Sequence, residues 1–167
     1  MIAHDPYADP ARLAELGVES VSLETVFGQS DVVTFNCPLN DETRGIGSAS
    51  MISRMKPTAY LVNTSRGPVV DQKALYDALT ARRIAGAAID VFDPEPPAAD
   101  EAILRLDSVL TAPHSLGWTD QMFATMGEIN RGAIQAVRAG RAPANVVNRD
   151  VLESAGFKTK LAALGKR

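Results

Sequence analysis

His114, Glu95 and Arg66 are residue types that together can move a proton while holding an anion. An unperturbed imidazole titrates near neutrality, at about 6.5, so His114 can serve as both acid and base. A carboxylate on the other ring nitrogen favours the imidazolium; Glu95 is the candidate, with Asp93 equally eligible on residue type alone. Arg66 offers a planar, permanently charged fork suited to a carboxylate or a polarised carbonyl. Reducing a 2-keto acid makes these demands, together with a hydride donor: a proton for the carbonyl oxygen and a cation for the substrate. Asp5 can accept from the hydroxyls of an adenosine ribose, and its charge would repel a 2′-phosphate. The alternative reading of Asp5-Pro6 is a turn start.

All of these residues sit where short apolar runs end. The pattern predicts strands over Met1–His4, Val18–Val21, Asp31–Phe35, Ala59–Asn63, Gly86–Val91 and Ser108–Thr111. Helices are expected over Pro10–Leu16, Leu23–Phe27, Ser50–Arg54, Gln72–Thr80 and Thr119–Ala139. Asp5 closes the first strand, Asn63-Thr64-Ser65-Arg66-Gly67 follows another, Asp90 ends the next, and Thr111-Ala112-Pro113-His114 ends the last. Strands alternating with helices imply an α/β fold with a parallel sheet, whose ligands gather beyond the carboxyl ends of the strands. The strands are apolar throughout, which predicts a sheet covered on both faces. No linker divides the chain. Residues 1–150 read as one domain, with 151–167 as a C-terminal tail.

Composition excludes several classes. The 167 residues are 46% hydrophobic with a formal net charge of −3, which argues against a nucleic-acid partner. Lys158, Lys160, Lys166 and Arg167 read as a solvated end. No run is long enough to span a membrane, and the start lacks a basic segment followed by an apolar one. One cysteine and two histidines make a disulfide or a zinc site a poor expectation. A reducing, cytoplasmic setting is expected.

Three stretches carry a resemblance. They are Lys56-Pro57 through Asn63-Thr64-Ser65-Arg66-Gly67, then Gly86 through Asp90-Val91-Phe92-Asp93-Pro94-Glu95-Pro96, then Ala112-Pro113-His114 with Gly117. In order and spacing the chain resembles the D-isomer-specific 2-hydroxyacid dehydrogenases, from about residue 1 to 150. The resemblance implies a Rossmann-like doubly wound parallel sheet, NAD as cofactor, a small 2-keto or 2-hydroxy acid as substrate, and a homodimer. It implies Arg66 as the substrate-binding arginine, His114 as the catalytic histidine and Glu95 as its partner. Asp5 matches the ribose-binding acid and Asp90 the aspartate near the nicotinamide amide. Cys37, Pro38, Thr64 and Ser65 match positions whose backbone lines the cofactor, and His114 to Gly117 lie beside the nicotinamide.

Two departures qualify it. Asn36-Cys37-Pro38-Leu39 resembles formate dehydrogenases, but those carry glutamine where this chain has Glu95, so formate oxidation stays the minor alternative. The family's first strand and glycine-rich phosphate loop are not in the sequence, so the chain is expected to be truncated or part of a longer polypeptide. Gly45-Ile46-Gly47-Ser48-Ala49-Ser50 lacks the third glycine and is assigned no phosphate role. In this sheet order the missing strand is the central one, so the strands at Met1–His4 and Asp31–Phe35 must pair together, pair with another chain, or stay exposed. A non-catalytic nucleotide-binding or assembly module is the reading from a different class.

Overall fold

Each helix begins on a side chain able to replace the missing backbone acceptor of its first turn. In the computed structural model, which describes residues 1–165, Asp9 caps α1 (Pro10–Glu15) and Ser22 caps α2 (Leu23–Gln29). Ser48 caps α3 (Ala49–Ile52), Asp71 caps α4 (Gln72–Thr80), Thr119 caps α5 (Asp120–Arg138), and Ser154 caps α6 (Ala155–Leu164). The expected Ser50–Arg54 helix therefore starts earlier, at the cap that Ser48 supplies. The sequence reading missed α6 and a 3-10 turn over Arg149–Glu153. Lys158 pairs with Glu153 at 2.8 Å, while Lys166 and Arg167 lie outside the described residues.

The strands form two parallel sheets. β1 (Ile2–Ala3) pairs with β2 (Glu19–Ser20) alone. β3 (Val32–Phe35), β4 (Tyr60–Asn63), β5 (Gly86–Ile89) and β6 (Val109–Thr111) form the larger sheet in chain order. Of the fates open to the outer edges of β1 and β3, mutual pairing does not occur; among the described residues each edge lacks a strand partner. The register aligns the strand ends: Phe35 lies opposite Asn63, Asn63 opposite Ile89, and Ile89 opposite Thr111. The loops after β3, β4, β5 and β6 consequently emerge along one rim.

Successive side chains on a strand point to opposite faces. Val33, Phe35, Leu61, Ala87 and Ile89 point into a core completed by Phe27, Ile52, Leu75, Leu79 and Ile103. Phe27 and Phe35 meet with ring centroids 6.0 Å apart. The opposite face departs from the sequence reading. Val32 is 54% exposed, Tyr60 51% and Leu110 77%, so the sheet is not covered on both sides along its length. Apolar strand composition records that a side chain can be buried; it does not say that a layer lies over it.

The chain separates into two compact units, Met1–Leu116 and Gly117–Arg167. Both sheets belong to the first. In the second, α5 and α6 are joined through the 3-10 turn, and the glycines that follow them, Gly140 and Gly165, stand in backbone contact. The apolar α5 residues Phe123, Met126, Ile129 and Ile134 are exposed.

Leu61 is fully buried on a central strand. Leu61→Ala should cost about 2–5 kcal/mol of unfolding free energy, and Leu110→Ala, on the bare face, about 0.5 kcal/mol or less. Urea titration followed by far-ultraviolet circular dichroism checks the contrast; equal costs would contradict the one-sided core.

Candidate active site

Three polar or charged residues are buried among those described, namely Asn63, Ser65 and Asp90, and all lie on the rim formed by the strand ends. Asn63 is held within its own turn, Ser65 and Asp90 by a neighbouring loop. The Asn63 side chain accepts from the Ser65 amide at 3.1 Å and donates to the Arg66 carbonyl at 3.0 Å, shaping the turn after β4. The Ser65 hydroxyl donates to the Cys37 carbonyl, joining that turn to the loop after β3. Asp90 follows β5; its carboxylate accepts from the amides of Ser115 at 2.9 Å and Leu116 at 3.2 Å. The Asp90 carbonyl accepts from the His114 amide at 2.8 Å, and the Asp90 amide donates to the Asn63 carbonyl at 3.0 Å.

This lattice sets His114 in place. Its backbone is left-handed, with φ 54°, a conformation a non-glycine residue adopts only when its surroundings impose it. The imidazole Nδ1 lies 2.5 Å from Glu95 Oε1. The second Glu95 oxygen accepts from the Phe92 amide at 3.2 Å. Of the two carboxylates eligible on residue type, geometry selects Glu95; Asp93 instead presents its amide to Gln72 Oε1. The hydrogen bond to His114 holds the Glu95 carboxyl below its ordinary range, helped by the Phe92 amide and the charges of His114 and Arg66, against a partial desolvation that raises it. With Nδ1 engaged, Nε2 is the nitrogen left to exchange a proton with a ligand.

The remaining sequence-predicted residues divide into groups. Cys37, Pro38, Thr64, Ser65 and Arg66 line one cavity with Asn36 and Leu39, about 660 Å³ in volume. Arg66 Nη1 rests on the Ser65 carbonyl at 2.6 Å. A second cavity, about 440 Å³, takes Asp90, Glu95 and His114 with apolar walls from Phe92, Pro96 and Leu104. Asp5 lies after β1, and its carboxylate accepts from the Tyr7 amide at 2.9 Å, so it does begin a turn. Among the described residues its second oxygen makes no hydrogen bond. Gly117 begins the second unit. The Gly45-Gly47 pair serves packing and backbone pairing. Its amides donate to the carbonyls of Pro68 and Val69, and a Cβ on Gly47 would lie 2.9 Å from the Phe35 ring.

Sequence reasoning missed Asn63 as the residue that shapes the Arg66 turn. It also missed Gln72, and the Tyr7 hydroxyl donating to Glu42 at 2.6 Å, which raises the Tyr7 pKa. A buried asparagine closing a strand and followed by Ser and Arg was a usable signal for the first. The others are side-chain contacts between distant segments and left no local mark.

Residues 1–115 match the model of the D-isomer specific 2-hydroxyacid dehydrogenase, NAD binding domain. The chain belongs to that family. Among D-2-hydroxyacid dehydrogenase relatives, a glyoxylate reductase from Korarchaeum cryptofilum is 45% identical over 139 residues, 83% of this chain and 42% of its own length. A D-3-phosphoglycerate dehydrogenase from Archaeoglobus fulgidus is 35% identical over 158 residues, 95% of this chain and 30% of its own length. A solved D-lactate dehydrogenase from Sporolactobacillus superposes with a TM-score of 0.74 at 36% identity, covering 81% of this chain and 44% of that one. The chain thus spans less than half the length of each of these family members.

As an NAD-binding family member, the chain offers residues that suit both ends of the dinucleotide. Asp5 has a carboxylate oxygen without a hydrogen-bond partner among the described residues, and the rim cavity is bounded by residues Cys37–Pro38 and Thr64–Ser65. The Gly45-Gly47 pair offers no cradle for the pyrophosphate, because its amides are engaged.

Asp90→Ala removes the acceptors of the Ser115 and Leu116 amides. Hydrogen exchange at those amides should accelerate about tenfold or more; unchanged exchange would show that the loop is held by something else. A carboxyl lowered on folding stabilises the fold above its unfolded value, and that stability is lost as pH falls through the folded value. Glu95→Gln should therefore lose less stability than the parent protein as pH is lowered through the ordinary glutamate range. Acid titrations of the two proteins, compared by thermal melt, measure the difference.

Proposed function

We propose that the chain carries the proton-transfer and substrate-anchoring groups of an NAD-dependent oxidoreductase acting on the CH–OH group of a small D-2-hydroxy acid, written here as 2-keto acid reduction. The observation that carries it is the 2.5 Å contact between His114 Nδ1 and Glu95, on the rim that also bears Arg66. A bound NADH would supply the hydride for C2. His114 delivers the proton from Nε2 to the carbonyl oxygen. Glu95 accepts a hydrogen bond from Nδ1–H and so stabilises the imidazolium that precedes the transfer. Arg66 pairs with the substrate carboxylate and opposes charge growing on the carbonyl oxygen. Asp5 accepts from the ribose hydroxyls and disfavours a 2′-phosphate, which supports NAD over NADP. Asp90 would face the nicotinamide amide, and the segment from His114 to Gly117 would border the ring. A homodimer in the cytoplasm completes the reading; the exposed apolar residues of α5 support self-association.

The second reading, from a different class, is a non-catalytic nucleotide-binding or assembly module.

Trp118, the single tryptophan, lies four residues beyond His114 in the chain. Titration with NADH should quench its emission saturably, with energy transfer to the reduced nicotinamide, and NADPH should bind more weakly. A parallel melt establishes that the protein is folded. A folded protein without a saturable response would overturn the cofactor assignment. Where keto-acid reduction is measured, His114→Ala should lower turnover by about 10²–10⁴-fold; retained turnover would leave the non-catalytic reading.

A further inference from the structure

The loop carrying Glu95 rests on the segment that follows Arg66. A Cβ built on Gly67 would overlap the carbonyl of Phe92, so the backbones of these loops are in direct contact. One step further along, Gln72 stands half-buried in the first turn of α4, and its Oε1 accepts from the Asp93 amide at 3.2 Å. Asp93 adjoins Phe92, whose amide holds one Glu95 oxygen, while the other meets His114. A continuous path therefore runs from the α4 N-terminus through residues 93 and 92 to the Glu95 carboxylate and the His114 ring.

We propose that Gln72 is a positioning residue for the Glu95–His114 pair, acting through the Asp93 amide to fix the height of the Glu95 loop above Gly67. The proposal rests on the reading of His114 as the proton donor. Gly67 sets the nearest approach of the loops and Gln72 keeps them from separating. Glu95 is more than a third exposed, so its loop has little burial to hold it, and a single directed hydrogen bond has leverage there. The same brace ties Arg66 to Glu95, because Gly67 follows Arg66 directly. Substrate anchor and proton donor then keep a constant separation through backbone contact.

The charged groups around Glu95 are His114 from the loop after β6 and Arg66 from the turn after β4; Asp90 lines the same cavity, and Asp93 shares the loop. The test is a carbon-13 NMR titration of the Glu95 carboxyl in the whole chain. In the parent protein it should titrate below the ordinary glutamate value. Gln72→Met keeps the side-chain length and loses the acceptor. It should return the Glu95 midpoint towards about 4.3 and speed exchange of the Asp93 amide about tenfold. Gln72→Asn, too short to reach, should do the same. Gln72→Glu keeps an acceptor at the right reach and should restore Asp93 protection. An unmoved Glu95 midpoint in both Gln72→Met and Gln72→Asn overturns the proposal. So does a failure of Gln72→Glu to protect Asp93, or a shift shared by carboxylates remote from the rim. Neither readout needs turnover. A responsive Glu95 in a protein that reduces no keto acid would leave the brace standing and remove the reaction.

Discussion

Asp90 buries its carboxyl group directly after β5, and the site depends on how that group's oxygens are satisfied. An unpaired buried charge is too costly to keep. Here the partners are backbone amides, those of Ser115 and Leu116, so the loop after β6 must wrap around the carboxylate. Wrapping forces His114 into a left-handed backbone conformation, of order 1 kcal/mol or more unfavourable. The strain persists because the His114 amide is also held by the Asp90 carbonyl. The electrostatic demand of one buried group thereby fixes where the imidazole begins, and Glu95 fixes how the ring turns.

Strand register then decides which groups can cooperate. Phe35, Asn63, Ile89 and Thr111 stand level across the sheet, so the segments that follow them share one rim. The side chains of Ser65 and Asp90 and the backbone bond from the Asp90 amide to the Asn63 carbonyl tie these segments sideways, from the loop after β3 to the loop after β6. Arg66 and His114 come from loops well separated in sequence, yet their supports share hydrogen bonds. A displacement of one loop is resisted by the next, the preorganisation that proton transfer to a held substrate requires.

The glycines show how the same residue type serves opposite ends. Gly67 is required because the Phe92 carbonyl occupies the space a side chain would take, and this close approach brings the Glu95 loop to the site. The Gly45-Gly47 pair looks in sequence like part of a phosphate loop. Its amides instead bond to the segment after Gly67, and Gly47 clears room for Phe35. A phosphate loop needs amides that are free and converge on one point, and spacing between glycines carries no information on whether they are.

Much was legible in sequence. Most helices followed from periodic apolar runs, and the side chains that start them, Asp9, Ser22, Asp71 and Thr119, cap by contacts within one turn. Strand positions followed from apolar runs, and the placing of Arg66, Asp90 and His114 at strand ends followed from the parallel α/β pattern. The α3 start and α6 were less legible, since the first lacks a long periodic run and the second mixes small and apolar residues without a marked face. On residue type alone Glu95 and Asp93 were equal and only the resemblance named Glu95; tertiary structure supplies the physical reason, because the loop's path decides which carboxylate faces the ring. Only tertiary structure showed that the strands lie bare on one face, that β1–β2 stands apart from the larger sheet, and that Gln72 reaches the Asp93 amide. Local chemistry is written in neighbouring residues and can be read there. Contacts between segments far apart in the chain depend on register and loop path, which no short stretch of sequence specifies.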